Sequence, residues 1–179
     1  MRNLLGRAAA LAVVILIFNS TLVSQSVKAP DFKQYPADVS AGKPAPLNLR
    51  SHPMARMYRT SIREQLHEQG INFAGHFTVA VMGCGTGCSI TAIVDARNGV
   101  AYFPHELDGW NVEPGVYEFA DNEDVRTFRA DSRLLKIIGA PRLSADERCG
   151  PGGIYYYVWK NNRLRQVQFV LTKRAETRP

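Results

Sequence analysis

HFTVAVMGCGTGCSITAIVD, residues 76–95, consists of two apolar runs joined by a glycine-rich loop that holds two of the three cysteines in a 179-residue chain. Paired symmetrically about Gly85-Thr86-Gly87, the runs set Met82 opposite Ile90, Val81 opposite Thr91, Ala80 opposite Ala92 and Val79 opposite Ile93, with Cys84 facing Cys88. Side chains alternate along a strand with period two, so both faces of this hairpin are mostly apolar. Such a hairpin belongs in the middle of a sheet, covered on one side by a helix and on the other by further strands.

The helix is legible just upstream. Met54, Met57, Tyr58, Ile62 and Leu66 recur at three- and four-residue spacing, Pro53 suits a first turn, and Gly70 is placed to end it. His67 falls in the last turn, where a cation is favoured, which is a helix-end position rather than a catalytic one. Residues 30–53 carry Pro36, Pro44, Pro46 and Pro53 with few periodic apolar positions, and are expected to run extended over the surface rather than build an element.

The amino end opens with Arg2 and Arg7, an unbroken apolar stretch over residues 8–18, and no acid before Asp31. This order predicts a signal peptide over residues 1–29, with cleavage after Ser26 or Ala29. The apolar stretch would span roughly 16 Å as a helix. That is about half of a ~30 Å hydrocarbon core, so contact with the membrane is expected only during export. Removing these residues takes away Arg2, Arg7 and Lys28 but no acid, so the formal charge of +6 falls to about +3. The remaining cations are interspersed with acids, as in Arg126, Arg129 and Arg133 against Glu123, Asp124 and Asp131, and no basic stripe points to nucleic acid.

Downstream of the hairpin the period stays extended. Strands are expected at residues 100–103, after an Asn98-Gly99 pair suited to left-handed turn angles, and at 116–120, 133–138, 154–159 and 163–171, with Asn161-Asn162 between the last two. The fold class read from this pattern is α+β: mainly an antiparallel β meander with one N-terminal amphipathic helix. It forms a single domain over residues 54–172, followed by a short tail at 173–179. Tyr155, Tyr157 and Trp159 alternate onto one face, better suited to packing than to stacking on a sugar. Trp110 sits in a loop-like Asp108-Gly109-Trp110-Asn111 context, with less core to join, and is a candidate ligand contact.

Three cysteines in an oxidising compartment allow one disulfide: Cys84 to Cys88, or either of them to Cys149. Hairpin geometry alone brings Cys84 and Cys88 together, whereas a bridge to Cys149 needs the fold to deliver it. The competing chemistry is a nucleophilic thiolate at Cys84 or Cys88 beside loop N–H groups, with His105 as base and Glu106 or Asp108 orienting the imidazole. His76 lies eight residues from Cys84, about 26 Å along a strand, too far for a direct partner. His105 would be level with Ala92, about 13 Å from Cys88, close enough for a loop to bend toward the cysteines. No familiar metal-ligand spacing occurs, and neither a metal nor a cofactor is expected.

The segments NFAGHF (72–77), GCGTGC (83–88), IVDA (93–96), DSRLL (131–135) and YYYVW (155–159) resemble an uncharacterised family of small exported bacterial proteins. The likeness extends from about Phe32 to Gln168. It implies an envelope location, periplasmic or secreted, and transfers no catalytic residue. The expected function is a non-enzymatic binding or inhibitory module for an envelope protein or glycan. The alternative is the cysteine-dependent enzyme.

Overall fold

The computed structural model describes residues 28–85, 88–111, 124–142 and 150–172. The expected strands at 116–120, the third cysteine Cys149, the leader before residue 28 and the tail after 172 lie outside them. Two helical segments, α1 (Pro53–Met57) and α2 (Arg59–Gln69), precede the strands β1 (Phe77–Gly85), β2 (Cys88–Asp95), β3 (Ala101–Tyr102) and β4 (Trp110–Asn111). These are followed by β5 (Arg126–Phe128), β6 (Leu134–Gly139), β7 (Gly153–Lys160) and β8 (Arg163–Leu171). All the described strand pairings are antiparallel, and the fold is α+β. No described helix is long and apolar enough to cross a membrane.

Among the described residues the meander divides into two four-stranded sheets instead of continuing as one. In the first, β2 lies between β1 and the two short strands β3 and β4; in the second the order is β5-β6-β7-β8. The sheets face each other across a core of Val79, Ile93, Leu135, Ile137, Tyr155, Tyr157 and Trp159. On its other face the first sheet packs Ala80, Met82, Ile90, Ala92 and Val94 against Ile62 and Leu66 of α2. The alternation read from residues 76–95 therefore holds: one face of the hairpin meets the helix, the other the remaining strands. The Tyr155-Tyr157-Trp159 face is buried packing.

Three local features depart from expectation. The single helix is broken at Tyr58, which caps the end of α1 and the start of α2. His52 begins α1, its Nδ1 accepting the Met54 N–H at 3.2 Å ahead of Pro53 at the first helical position. In the hairpin the predicted register holds from Val79↔Ile93 to Met82↔Ile90, but a bulge between Gly83 and Gly85 makes Gly85, not Cys84, the partner of Cys88. In the turn after β2 only Gly99 is left-handed (φ +71°), because the Gly99 and Val100 backbone bonds run back to Asp95 across a longer loop. Asn161 and Asn162, by contrast, both take positive φ and close β7 onto β8 as a two-residue turn.

β1 is an edge strand rather than a central one, and side chains close its open edge. The Asn72 carboxamide accepts from Val79 N and donates to Val79 O, and the Gln65 carboxamide does the same at Val81. Each amide stands in for a residue of a missing neighbour strand, satisfying backbone groups that would otherwise invite another chain.

The proline-rich lead-in holds a 3-10 turn, Phe32–Gln34, and a hydrogen-bonded turn at residues 48–51, and between them runs mostly extended, joining the layers. Phe32 and Tyr35 cover Leu134, Tyr156 and Val158 on the outer face of the second sheet, and Leu47 enters the helix side of the first. Ser132, buried at the entry to β6, lies 2.8 Å and 3.0 Å from the Phe32 and Tyr35 carbonyls and accepts the Leu134 N–H. It ties the lead-in to the sheet, a structural role.

Candidate functional site

Cys84 and Cys88 are joined by a disulfide, with Cα atoms 5.2 Å apart. The bulge swings Cys84 past its expected partner position, and the bridge closes the strand ends locally. A sulfur held in a disulfide is neither a thiol nor a thiolate, so the oxidised pair offers no nucleophile. Constraining a five-residue loop is worth about 2 kcal/mol on the chain-entropy model. The Cys84→Ala/Cys88→Ala variant is accordingly expected to keep the fold and lose about 2 kcal/mol in urea denaturation.

His105 and Glu106 stand elsewhere. They open a short 3-10 turn, His105–Leu107, with His105 Nδ1 3.3 Å from Glu106 Oε2, and no described contact joins either to the cysteines. The His105 side chain is 91% exposed and that of Glu106 only 23%. Both line a cleft of about 600 Å³ between β3, the start of α1 and the β7–β8 turn. Its other walls include His52, Tyr102, Phe103, Asn162 and Arg163.

The cleft follows from local geometry. His52 stacks on Phe103 with ring centroids 4.6 Å apart. Because its Nδ1 already accepts from the backbone, the neutral ring carries its proton on Nε2. Tyr102 rests edge-on against Trp159 at 5.7 Å, and burial, with Asp95 nearby, holds its hydroxyl above the ordinary range. Burial raises the hydroxyl of Tyr157, in the core behind, with smaller contributions from Tyr155 and Glu106. Ser51 Oγ donates to Asn48 O and accepts from Ala101 N, pinning the lead-in to β3 at the rim. The result is a half-open cleft with aromatic walls, a carboxylate, an imidazole and a guanidinium. Small-molecule sites commonly combine apolar walls with a few convergent polar groups, in volumes of roughly 300–1,000 Å³.

Trp110 is not a surface contact. It is fully buried in β4, edge-on to Tyr155 at 5.2 Å, and its Nε1–H donates to Ile138 O at 2.9 Å. The two-residue pairing of β4 with Ser89 and Cys88 turns an apparent loop into part of the core, a long-range contact that no local pattern announces.

Sequence reading also missed two polar clusters. Asp95, 2% exposed, takes Arg97 in a two-pronged ion pair at 3.0 and 2.8 Å. Burial opposes ionisation of the Asp95 carboxyl, but the Arg97 hydrogen bonds and charge outweigh it and hold the group below its ordinary range. His76 beside the pair is lowered by burial and by Arg97. Between the sheets, Arg126 donates to Ser89 Oγ, and burial lowers its guanidinium to about 10. Its Nε and the nearby Thr91 Oγ1 lack partners among the described residues. The alternation that placed Ser89 and Thr91 on the Ile93 face carried this signal, but the arrival of Arg126 opposite them is tertiary.

No group of three or more His, Cys, Asp or Glu side chains able to hold a metal ion occurs among the described residues. Comparison with protein-family models, with curated proteins and with solved structures finds no match.

Proposed function

We propose that the protein is an exported binding module of the bacterial envelope, and that the cleft at Phe103 and Glu106 takes a glycan without cofactor. The observation that carries this reading is the stacked His52–Phe103 wall facing a shared space with Glu106, His105 and Arg163. A sugar ring has an apolar face of C–H groups that packs on such walls and a rim of hydroxyls. Carboxylate, imidazole and guanidinium groups match that rim as acceptor and donors. The signal-like leader, the likeness to an exported family and the Cys84–Cys88 bridge support an oxidising compartment outside the cytoplasm. The bridge also leaves the hairpin without a thiolate, which favours binding over cysteine chemistry.

Calorimetric titration with N-acetylglucosamine oligomers, chosen after a glycan array, tests the reading. Phe103→Ala is expected to weaken binding at least tenfold, and the exposed changes His105→Ala and Arg163→Ala several-fold without shifting the thermal midpoint. Absence of binding to every arrayed glycan, or binding indifferent to all three substitutions, would reject it.

A further inference from the structure

A second cavity, of about 490 Å³, lies away from the cleft, between the extended lead-in at residues 42–47 and α2. Pro46, Leu47 and Leu66 give it an apolar floor, Leu47 and Leu66 being almost wholly buried. Its rim is basic: Lys43 comes from the lead-in, and Arg63 and His67, one helical turn apart, come from α2. Among the described residues no acid lines it; Glu64 and Glu68, the adjacent acids of α2, are not among its walls. None of these three basic side chains forms an ion pair among the described residues.

The two walls are held at a defined separation. Ala45 N donates to Ala96 O at 2.7 Å and Asn48 N to Gly99 O at 2.8 Å, which anchors the lead-in to the turn after β2. α2 is anchored independently, through Ile62 and Leu66 against the first sheet. The gap between them is therefore built by two separate attachments rather than by a loose loop.

We infer that this cavity binds a small amphipathic organic anion, an acid head on a short aliphatic body. The head would meet Arg63, with Lys43 and His67 beside it, through charge-assisted hydrogen bonds. The body would cover Pro44, Ala45 and Pro46, the accessible apolar surface above the buried Leu47 and Leu66, and burial of each of its methylenes is worth roughly 0.8 kcal/mol. Partial enclosure lowers the effective dielectric, so the attraction exceeds that of the same charges on open surface.

Titration calorimetry with octanoate, acetate and octylammonium separates the two halves of the site. Octanoate is expected to bind, acetate at least tenfold more weakly, and octylammonium not at all. The exposed substitution Arg63→Glu should reduce octanoate affinity at least tenfold while leaving the thermal midpoint and the oligosaccharide titration of the cleft unchanged. Equal binding of octylammonium would show that charge is not read, and equal binding of acetate that the floor is not. An Arg63→Glu variant of wild-type affinity, or sedimentation with phosphatidylglycerol vesicles in the absence of octanoate binding, would also overturn the assignment.

Discussion

Trp110→Ala is expected to lower the free energy of unfolding by about 3–5 kcal/mol, the usual cost of truncating a fully buried tryptophan. Two terms combine. The ring fills space between the sheets against Tyr155, and its removal leaves a cavity that rigid strands cannot close. The indole N–H is also the partner of Ile138 O, so one buried carbonyl loses its donor. Trp110→Phe separates these effects: it retains most of the volume and should cost about 1–3 kcal/mol, chiefly for the unsatisfied carbonyl. Urea denaturation followed by far-ultraviolet dichroism reads both variants. A domain of this kind has about 5–15 kcal/mol in total, so the alanine variant should show a clearly lowered midpoint. A Trp110→Ala loss below about 1 kcal/mol would mean that β4 does not dock in solution.

Gly99→Ala is the second large effect, expected to cost about 3 kcal/mol through three contributions of roughly 1 kcal/mol or more each. Gly99 adopts φ +71°, and a Cβ there would overlap the Pro46 carbonyl oxygen, a backbone atom that cannot move alone. Relief requires the lead-in to retreat, breaking the bonds from Ala45 N and Asn48 N and loosening Leu47 from the helix-side core. Gly42→Ala is the matched control. Gly42 is also left-handed, at φ +115°, but nothing lies within 4 Å of the added methyl, so only local strain of about 1 kcal/mol is expected. Equal losses in the two variants would show that the contact with Pro46 is not what holds the lead-in. Thermal denaturation of both variants under one buffer condition decides it.

Much of the central hairpin was legible because its information is local. The alternation of Val79, Val81, Ile93 and Met82, Ala92, Val94 specifies two apolar faces and, with a glycine loop between, a register. The same reasoning located β7, β8 and the Asn161-Asn162 turn, where two adjacent residues with positive φ are all that a tight hairpin requires. It failed at Cys84, since a one-residue bulge leaves the alternation upstream unchanged and has no signature beyond the glycines around it. The helix break at Tyr58 escaped notice for a related reason: the apolar spacing continues through it.

The candidate sites were harder to see because neither is contiguous in the chain. The sequence presents His105 and Glu106 as titratable neighbours whose nearest chemistry in the chain is the cysteine loop. Their actual neighbours are His52, more than fifty residues earlier, and Arg163, more than fifty later. Likewise Lys43 and Arg63 line one cavity only because residues 45–48 dock on the turn at Gly99.

By itself, then, the sequence determined the α+β class, the apolar hairpin with a helix on one face and strands on the other, and the closeness of Cys84 to Cys88. Each rests on periodicity or on a few residues of separation. Only the tertiary structure decided the split into two facing sheets, the burial of Trp110, the capping of the β1 edge by Asn72 and Gln65, and the composition of both cavities. The physical reason is that these depend on which distant segments lower their free energy by sharing one surface. That choice is made by the packing of the whole chain, and no stretch of twenty residues contains it.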